Sequence, residues 1–495
     1  MRVTAPPRGA TTRVTTATIT SGQLLSLTYN AHPPVQFGYA GTLLNRILSV
    51  TSPRGAIEKY SFGALNTLAS ASLGLGPLAT DTIRYTFSPA AIKGIGGSGN
   101  RAVTHGSATT KYDGPRTDVA DTQNFWLDRF GEPTIVRDAL GNETVLTRAD
   151  PNYPALVTQV HLANGGISTA IYDTVGHVMT STAVNPLGDG LNATTTNTWN
   201  MKFDFVATTT SPTGLLTTFG YDTLTGNRIW QYPGTDPARK VLFQYGNTLL
   251  QLSSTQLPGY LITDRDSVIY GALGNAIVTR SPKSFVDSLY ENSIGEDTLT
   301  SAPIKFLATD TARVRTHSWL DDRGLDTLTV TDGSGIEWQT VRTHHDQNGN
   351  ADSVASKSTP DLNAIGWIVH LFSFDTADRK VSDHLAGGET HTWVYDLAGN
   401  QLNGGARGGN AVSNSYNALN QLITRKASDT ATFTYDEVGA MTSADNATAR
   451  VSRTYYPGGA LRSDTLRVST MVRSDADFTK HIYGLSYRYD LDGRR

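Results

Sequence analysis

Five short stretches between residues 372 and 460 stand almost in phase. Four of them are Tyr395-Asp396-Leu397-Ala398-Gly399-Asn400, Tyr416-Asn417-Ala418-Leu419-Asn420-Gln421, Tyr435-Asp436-Glu437-Val438-Gly439-Ala440 and Tyr455-Tyr456-Pro457-Gly458-Gly459-Ala460. A weaker copy, Phe374-Asp375-Thr376-Ala377-Asp378-Arg379, precedes them. Aligned on the aromatic, the steps are 21, 21, 19 and 20 residues. A fixed period of this size marks a repeat architecture, in which each unit buries its apolar face only by stacking on its neighbours.

Each unit reads as strand, turn, strand. The incoming strand carries aromatics two residues apart, as in Phe372/Phe374, Trp393/Tyr395, Phe433/Tyr435 and Tyr487/Tyr489. A period of two places such a pair on one face of a sheet. The Asp after the aromatic suits an Asx turn, in which its carboxylate accepts from turn amides. Four residues past the aromatic stands Gly, which fits a backbone position of positive φ. Asn420 takes that place in one unit, and Asn is the residue next best suited to it. An outgoing apolar residue follows: Leu402, Leu422, Met441 and Leu461.

The same pattern occurs elsewhere. The turn residues singled out are Tyr172, Asp173 and Gly176; Tyr221, Asp222 and Gly226; Tyr395, Asp396 and Gly399; Tyr416 and Asn420; Tyr435, Asp436 and Gly439; Tyr455 and Gly459; and Tyr489, Asp490 and Gly493. They are assigned to folding and not to chemistry. The motif Tyr-Asp-x-x-Gly, followed by Asn or Arg and an apolar residue, resembles the YD-repeat (Rhs) family. That family includes bacterial Rhs proteins, the shell components of insecticidal ABC toxin complexes, and teneurins. The resemblance implies a sheet wound spirally into the wall of a hollow shell. It covers about 300 residues well, and at its period the chain holds roughly 25 units.

Along the chain the pattern divides into blocks. Residues 1–62 are N-terminal repeats, with Ser52-Pro53-Arg54-Gly55 a β-turn that closes the opposite end of a unit. Asn185-Pro186-Leu187-Gly188 and Ser211-Pro212-Thr213-Gly214 repeat that device. Residues 63–110 are rich in Gly, Ala and Ser and read as an insertion or degenerate repeats, with a loop over Gly94–Gly99. An array runs over 111–244, where Asp128 and Asp138 open turns only ten residues apart and read as the two ends of one hairpin. Residues 245–310 are degenerate, although Tyr270 to Asn275 keeps most of the pattern. The regular array occupies 311–495. Its last turn, at Tyr489-Asp490, lies so near the final residue that the sequence is expected to continue in a longer reading frame. No segment suggests a helix.

Composition narrows the function. The 495 residues include 17% charged residues and a net charge of −3, against roughly 25% charged for an average domain. Nothing forms a basic stripe, so nucleic-acid binding is disfavoured. The absence of cysteine excludes disulfides, Cys-ligated zinc and thiol catalysis. No apolar run is long enough for a membrane-spanning helix, and Met1 to Pro7 leads into no signal-peptide core.

Several constellations invite chemistry and yield to plainer readings. His344-His345-Asp346 suggests a metal site, yet neighbouring strand residues point to opposite faces and Asp346 begins a repeat turn. Asp189, Asp222, Asp396 and Asp436 recur because turns recur, not as glycosidase carboxylates. The glycine run at 94–99 lacks the Lys-Ser/Thr of a phosphate loop. The glycosylation-like triplets at Asn142, Asn192 and Asn446 read as chance. The autoproteolytic core and toxin domain found in some relatives are absent, so neither activity carries over. The sequence therefore predicts a non-enzymatic, secreted or cell-surface wall segment without cofactor or metal. Its expected partners are downstream core and toxin segments of the same polypeptide, with a delivery machine or cell-surface glycans besides. An extracellular carbohydrate-binding repeat module is the alternative.

Overall fold

The computed structural model describes the chain except for residues 1, 9–10, 42–45, 64–66, 76–81, 89–109, 129–130, 201, 203, 247–249, 260–264, 282–285, 292–296, 304–312, 334–335, 359–365, 406–410, 469–480 and 495. The glycine run at 94–99 lies outside the described residues. Among those described the chain is all β: forty strands and one short 3₁₀ turn at Pro237–Arg239. Strands pair antiparallel with their neighbours in the chain, as Thr430–Tyr435 does with Met441–Asp445 and Met441–Asp445 with Ala449–Tyr455. The result is a meander of short hairpins. Hairpins also run through the stretch read as degenerate, for example Asp266–Tyr270 with Ala276–Arg280.

By its contacts the chain divides into two compact units. One holds Met1–Tyr60, Leu73–Pro77 and Phe219–Thr392; the other holds Ser61–Ser72, Leu78–Thr218 and Trp393–Arg495. Each therefore joins stretches that lie far apart in the sequence.

Alternation is visible strand by strand. In Thr390–Tyr395 and Ile368–Phe374 the aromatics lie on the less exposed side, while Val394 and Ser373 between them are exposed. Deep burial is scarce: among the described residues only Trp126, Ile135, Val412 and Tyr487 are buried hydrophobics. The sheet is held by its hydrogen-bond ladder and cross-strand pairs rather than by a thick core.

Most of these turns carry a bulge that the sequence pattern did not reveal. Thr434 pairs with Ser443 but Tyr435 pairs with Met441, so Thr442 is left over. The same shift falls at Tyr172, Tyr270, Phe374, Tyr395, Tyr416 and Tyr455. An extra residue on one strand bends it and sharpens the local twist. Asp128 and Asp138 do lie at the two ends of one strand, Pro133–Arg137. The last described strand is His481–Ser486, so Tyr487 and Tyr489 lie beyond it. Tyr487 is nevertheless buried, and its amide donates to the Arg462 carbonyl at 3.0 Å.

Candidate functional site: the aromatic-Asx turns

The turns at 173, 396, 417, 436, 456 and 490 are closed by the same two backbone bonds, and the turn at 222 by the same pair one residue wider. In the turn at 436, Asp436 N donates to Ala440 O (2.9 Å) and Gly439 N to Asp436 O (3.1 Å). The Asp436 carboxylate accepts from the amides of Val438 (3.2 Å) and Ala440 (2.7 Å). Asp173 accepts from Val175 and His177, Asp396 from Asn400, Asp490 from Asp492 and Arg494, and Asp222 from Leu224 and Thr225. Asn417 does the same with its amide oxygen, toward Leu419 and Gln421. Glycines stand at positive φ at 176, 226, 399, 439, 459 and 493, and Asn420 at +61°. Partial desolvation pushes the Asp173 carboxyl up, but the His177 amide, the His177 imidazole and the Val175 amide outweigh it and hold the group at about 2.

The tyrosine hydroxyls do something that aromatic packing alone did not suggest. Tyr416 donates to the carbonyl of Gln401 (3.0 Å), Tyr435 to that of Leu422 (3.0 Å) and Tyr455 to that of Met441 (2.8 Å). Each acceptor is the first residue of the outgoing strand of the preceding unit. The hydroxyl thus ties one repeat to the one before it. Tyr172 donates likewise to Val157 (2.6 Å) and Tyr270 to Leu252 (2.6 Å). Burial raises the pKa of Tyr172, Tyr221, Tyr416 and Tyr435. Tyr489 packs edge-on against Tyr456, with ring centroids 6.2 Å apart.

Turns also dock on turns far away in sequence. In the first unit, Asp322 accepts from Asn30 Nδ2 (2.7 Å) and meets His32 Nε2 (2.8 Å), and Thr376 donates to the Gly74 carbonyl (3.1 Å). Together the Asn30 amide and the His32 imidazole outweigh desolvation and lower the Asp322 pKa. In the second unit, Gly458 N donates to Pro186 O (2.8 Å), and Asp492 accepts from Ser211 Oγ (3.0 Å) and Thr213 N (3.1 Å). The Pro-containing turns at 52, 185 and 211 are therefore the surfaces on which signature turns of a later stretch rest. Arg54 and Arg116 complete these contacts, each reaching into two signature turns at once. The period near twenty carries no signal for these pairings, because it describes only neighbours in the chain.

The residues weighed for chemistry have local hydrogen-bond partners. His344 Nδ1 lies 2.6 Å from Asp352 Oδ1, while the Asp346 carboxylate accepts from the Asn348 and Asn350 amides. Asp189 accepts from the Leu191 amide. Among the described residues no group of three or more His, Asp or Glu could hold a metal ion, and no helix is long and apolar enough to cross a membrane.

No protein-family model matches this sequence, and no curated protein sequence matches it. Solved structures do. The chain is similar to the crystal structure of TcdB2-TccC3-TEV, with a TM-score of 0.57 at 10% identity over 97% of this chain and 32% of that one. It is similar to TcdB2-TccC3-Cdc42, with a TM-score of 0.58 at 10% identity over 92% and 31%, and to TcdB2-TccC3, with 0.53 at 11% over 92% and 29%. The chain spans about a third of the length of the chains it matches. At such identities the likeness concerns the fold alone: the all-β array of antiparallel hairpins matches part of those chains.

Proposed function

We propose that this chain is a structural wall segment of an Rhs-type shell, which encloses a toxic cargo segment for export and delivery and is itself non-catalytic. The observation that carries this reading is the use made of the polar signature atoms. The Asp carboxylates close turns and the Tyr hydroxyls join consecutive repeats. These are the tasks of a wall that must be continuous, and they leave the recurrent residues engaged in holding the sheet. The likeness to TcdB2-TccC3 structures supports the same reading through the fold. On this reading the partners are core and cargo segments of the same polypeptide, together with a delivery machine, and the place of action is outside the producing cell.

The test is electron microscopy and limited proteolysis of the natural polypeptide that carries this chain, purified with its flanking segments. A closed wall around a protease-protected internal segment is the expected result. An open array with every segment cleaved at its unfolded rate would overturn the proposal. A glycan array probed with the chain separates it from a carbohydrate-binding surface, which alone predicts saturable binding.

A further inference from the structure

Two arginines, one in each unit, grip signature turns through matching atoms. Arg54 donates from Nη2 to the Phe374 carbonyl (2.9 Å) and from Nη1 to the Asp375 carbonyl (3.2 Å), and its Nε lies 3.5 Å from the Asp346 carboxylate one turn back. Arg116 donates from Nη2 to the Tyr416 carbonyl (3.3 Å) and from Nη1 to the Asn417 carbonyl, and its Nε lies 3.5 Å from the Asp396 carboxylate one turn back. Both guanidinium groups thus read the two carbonyls of an aromatic-Asx pair and the carboxylate of the turn before it. Both follow a proline, Pro53 or Pro115, whose ring fixes the backbone just ahead of the arginine.

The gripped turns share a second mark. In the aromatic-Asp turns at 172, 395, 435 and 489, the closing residue is Gly176, Gly399, Gly439 or Gly493. In the two gripped turns it is Asp378 (φ 58°) and Asn420 (φ 61°). A side chain there is strained relative to glycine. Each uses it to reach the preceding turn: Asn350 Nδ2 donates to Asp378 Oδ1 (2.7 Å) and Asn400 Nδ2 to Asn420 Oδ1 (2.7 Å). Those asparagines also donate to their own turns' Asp346 (3.1 Å) and Asp396 (2.8 Å). The bridge therefore builds a paired-turn acceptor site shaped for a planar, forked cation.

We propose that each Pro-Arg pair is a register key: it recognises one bridged pair of turns, 320 residues on for Arg54 and 300 for Arg116, and fixes which repeats of the two stretches lie together. Near-identical hairpins keep their own ladder and turn bonds after a slip by one repeat, so contacts between the two stretches must disfavour it. One repeat past its target, Arg116 would meet Tyr435-Asp436, where the turn behind holds neutral Asn417 and the closing residue is Gly439. The carboxylate behind and the bridge would both be missing. The Arg116 side chain is only 3% exposed and also pairs with Asp118 (Nε 3.1 Å, Nη2 2.6 Å), which it keeps in any register, so a slip costs it the second carboxylate and the bridged acceptor in a site shielded from water.

The test uses the full 495-residue chain. The Gly458 amide samples the register of the second unit away from the key, since it donates to the Pro186 carbonyl (2.8 Å). In the parent chain it should exchange slowly with solvent. Arg116→Gln or Arg116→Lys should speed hydrogen exchange at Gly458 and at the 417–421 amides together. Asn420→Gly should do the same, whereas Asn420→Asp should keep both readouts. If the arginine variants exchange as the parent does, the key is wrong. Should the arginine variants not fold, the Asn420 pair decides alone: a gain in stability for Asn420→Gly with the Gly458 amide still protected is what glycine at positive φ gives without any key, and it would overturn the proposal.

Discussion

The turns at 416–421 and 435–440 are consecutive, built from the same residue types and closed by the same backbone bonds, yet they are held differently. The second is closed by Gly439 and a charged Asp436, and its partners lie within neighbouring repeats. The first is closed by Asn420 and a neutral Asn417, is bridged back to Asn400, and is gripped by Arg116 from a distant stretch. The difference teaches that the consensus residues make the local turn, while a side chain at the closing position adds a bridge to the turn before it; glycine-closed turns such as those at 456 and 490 meet distant stretches through other atoms.

Breaking the glycine-closed turn should have the largest effect. Gly439→Val and Gly399→Val should each destabilise by roughly 1–3 kcal/mol in denaturant unfolding, because a β-branched residue is forced to positive φ. Asn at either site should cost less. Gly399 has open space around a would-be Cβ, while at Gly439 the flexible Gln421 amide lies 3.1 Å away. Similar losses at both sites would assign the cost to the backbone, and a Val variant as stable as the Asn variant would refute the positive-φ requirement.

The carboxylate comes next. Asp436→Ala should lose about 1–2 kcal/mol, since two turn amides lose their acceptor. Asp436→Asn should recover most of it, because Asn417 performs that task one repeat earlier. The hydroxyl follows: Tyr435→Phe should cost about 1 kcal/mol by leaving the Leu422 carbonyl without its donor. A Phe variant with unchanged unfolding would mean that the link between repeats is made by the ladder alone.

Acid should separate Asp turns from Asn turns more gently. The Asp173 carboxyl sits at about 2, below its ordinary 3.8. A depressed folded pKa gives stability that is present above the unfolded value and is lost as pH falls toward 2. The stability difference between the parent and Asp173→Asn should therefore shrink between about pH 4 and pH 2. A constant difference across that window would remove the carboxylate from the account. The smallest expected effect is none: chelator should leave the thermal midpoint in place, as the described residues hold no metal-ligating group. A drop of several degrees would show a metal contribution.

Much of this was legible in the sequence, and the boundary has a physical cause. Strand, turn and strand follow from local rules, since alternation and a residue at positive φ are written within ten residues of one another. Asn420 was visible as a departure but read as a tolerated substitute, because nothing nearby in the sequence names Asn400 as its partner. The Tyr435 ring was placed on the right side of the strand, while its hydroxyl's acceptor depends on a bulge that no spacing rule records. Arg54 looked like an ordinary turn residue, and nothing in the sequence around Arg116 marked it. Their partners lie some three hundred residues on, and a repeat of twenty fixes no alignment across that distance.

The scarcity of buried hydrophobic side chains has a thermal consequence. Unfolding raises heat capacity mainly by wetting apolar surface, by about 12–15 cal/mol/K per residue in compact domains. A sheet that buries four hydrophobic side chains among its described residues has less such surface to expose. Its increment per residue should fall below that range and its stability curve should be broad and shallow. Heating should then fray hairpins in succession, as nearest-neighbour coupling allows, and calorimetry should record a wide transition where a packed globule gives a sharp one.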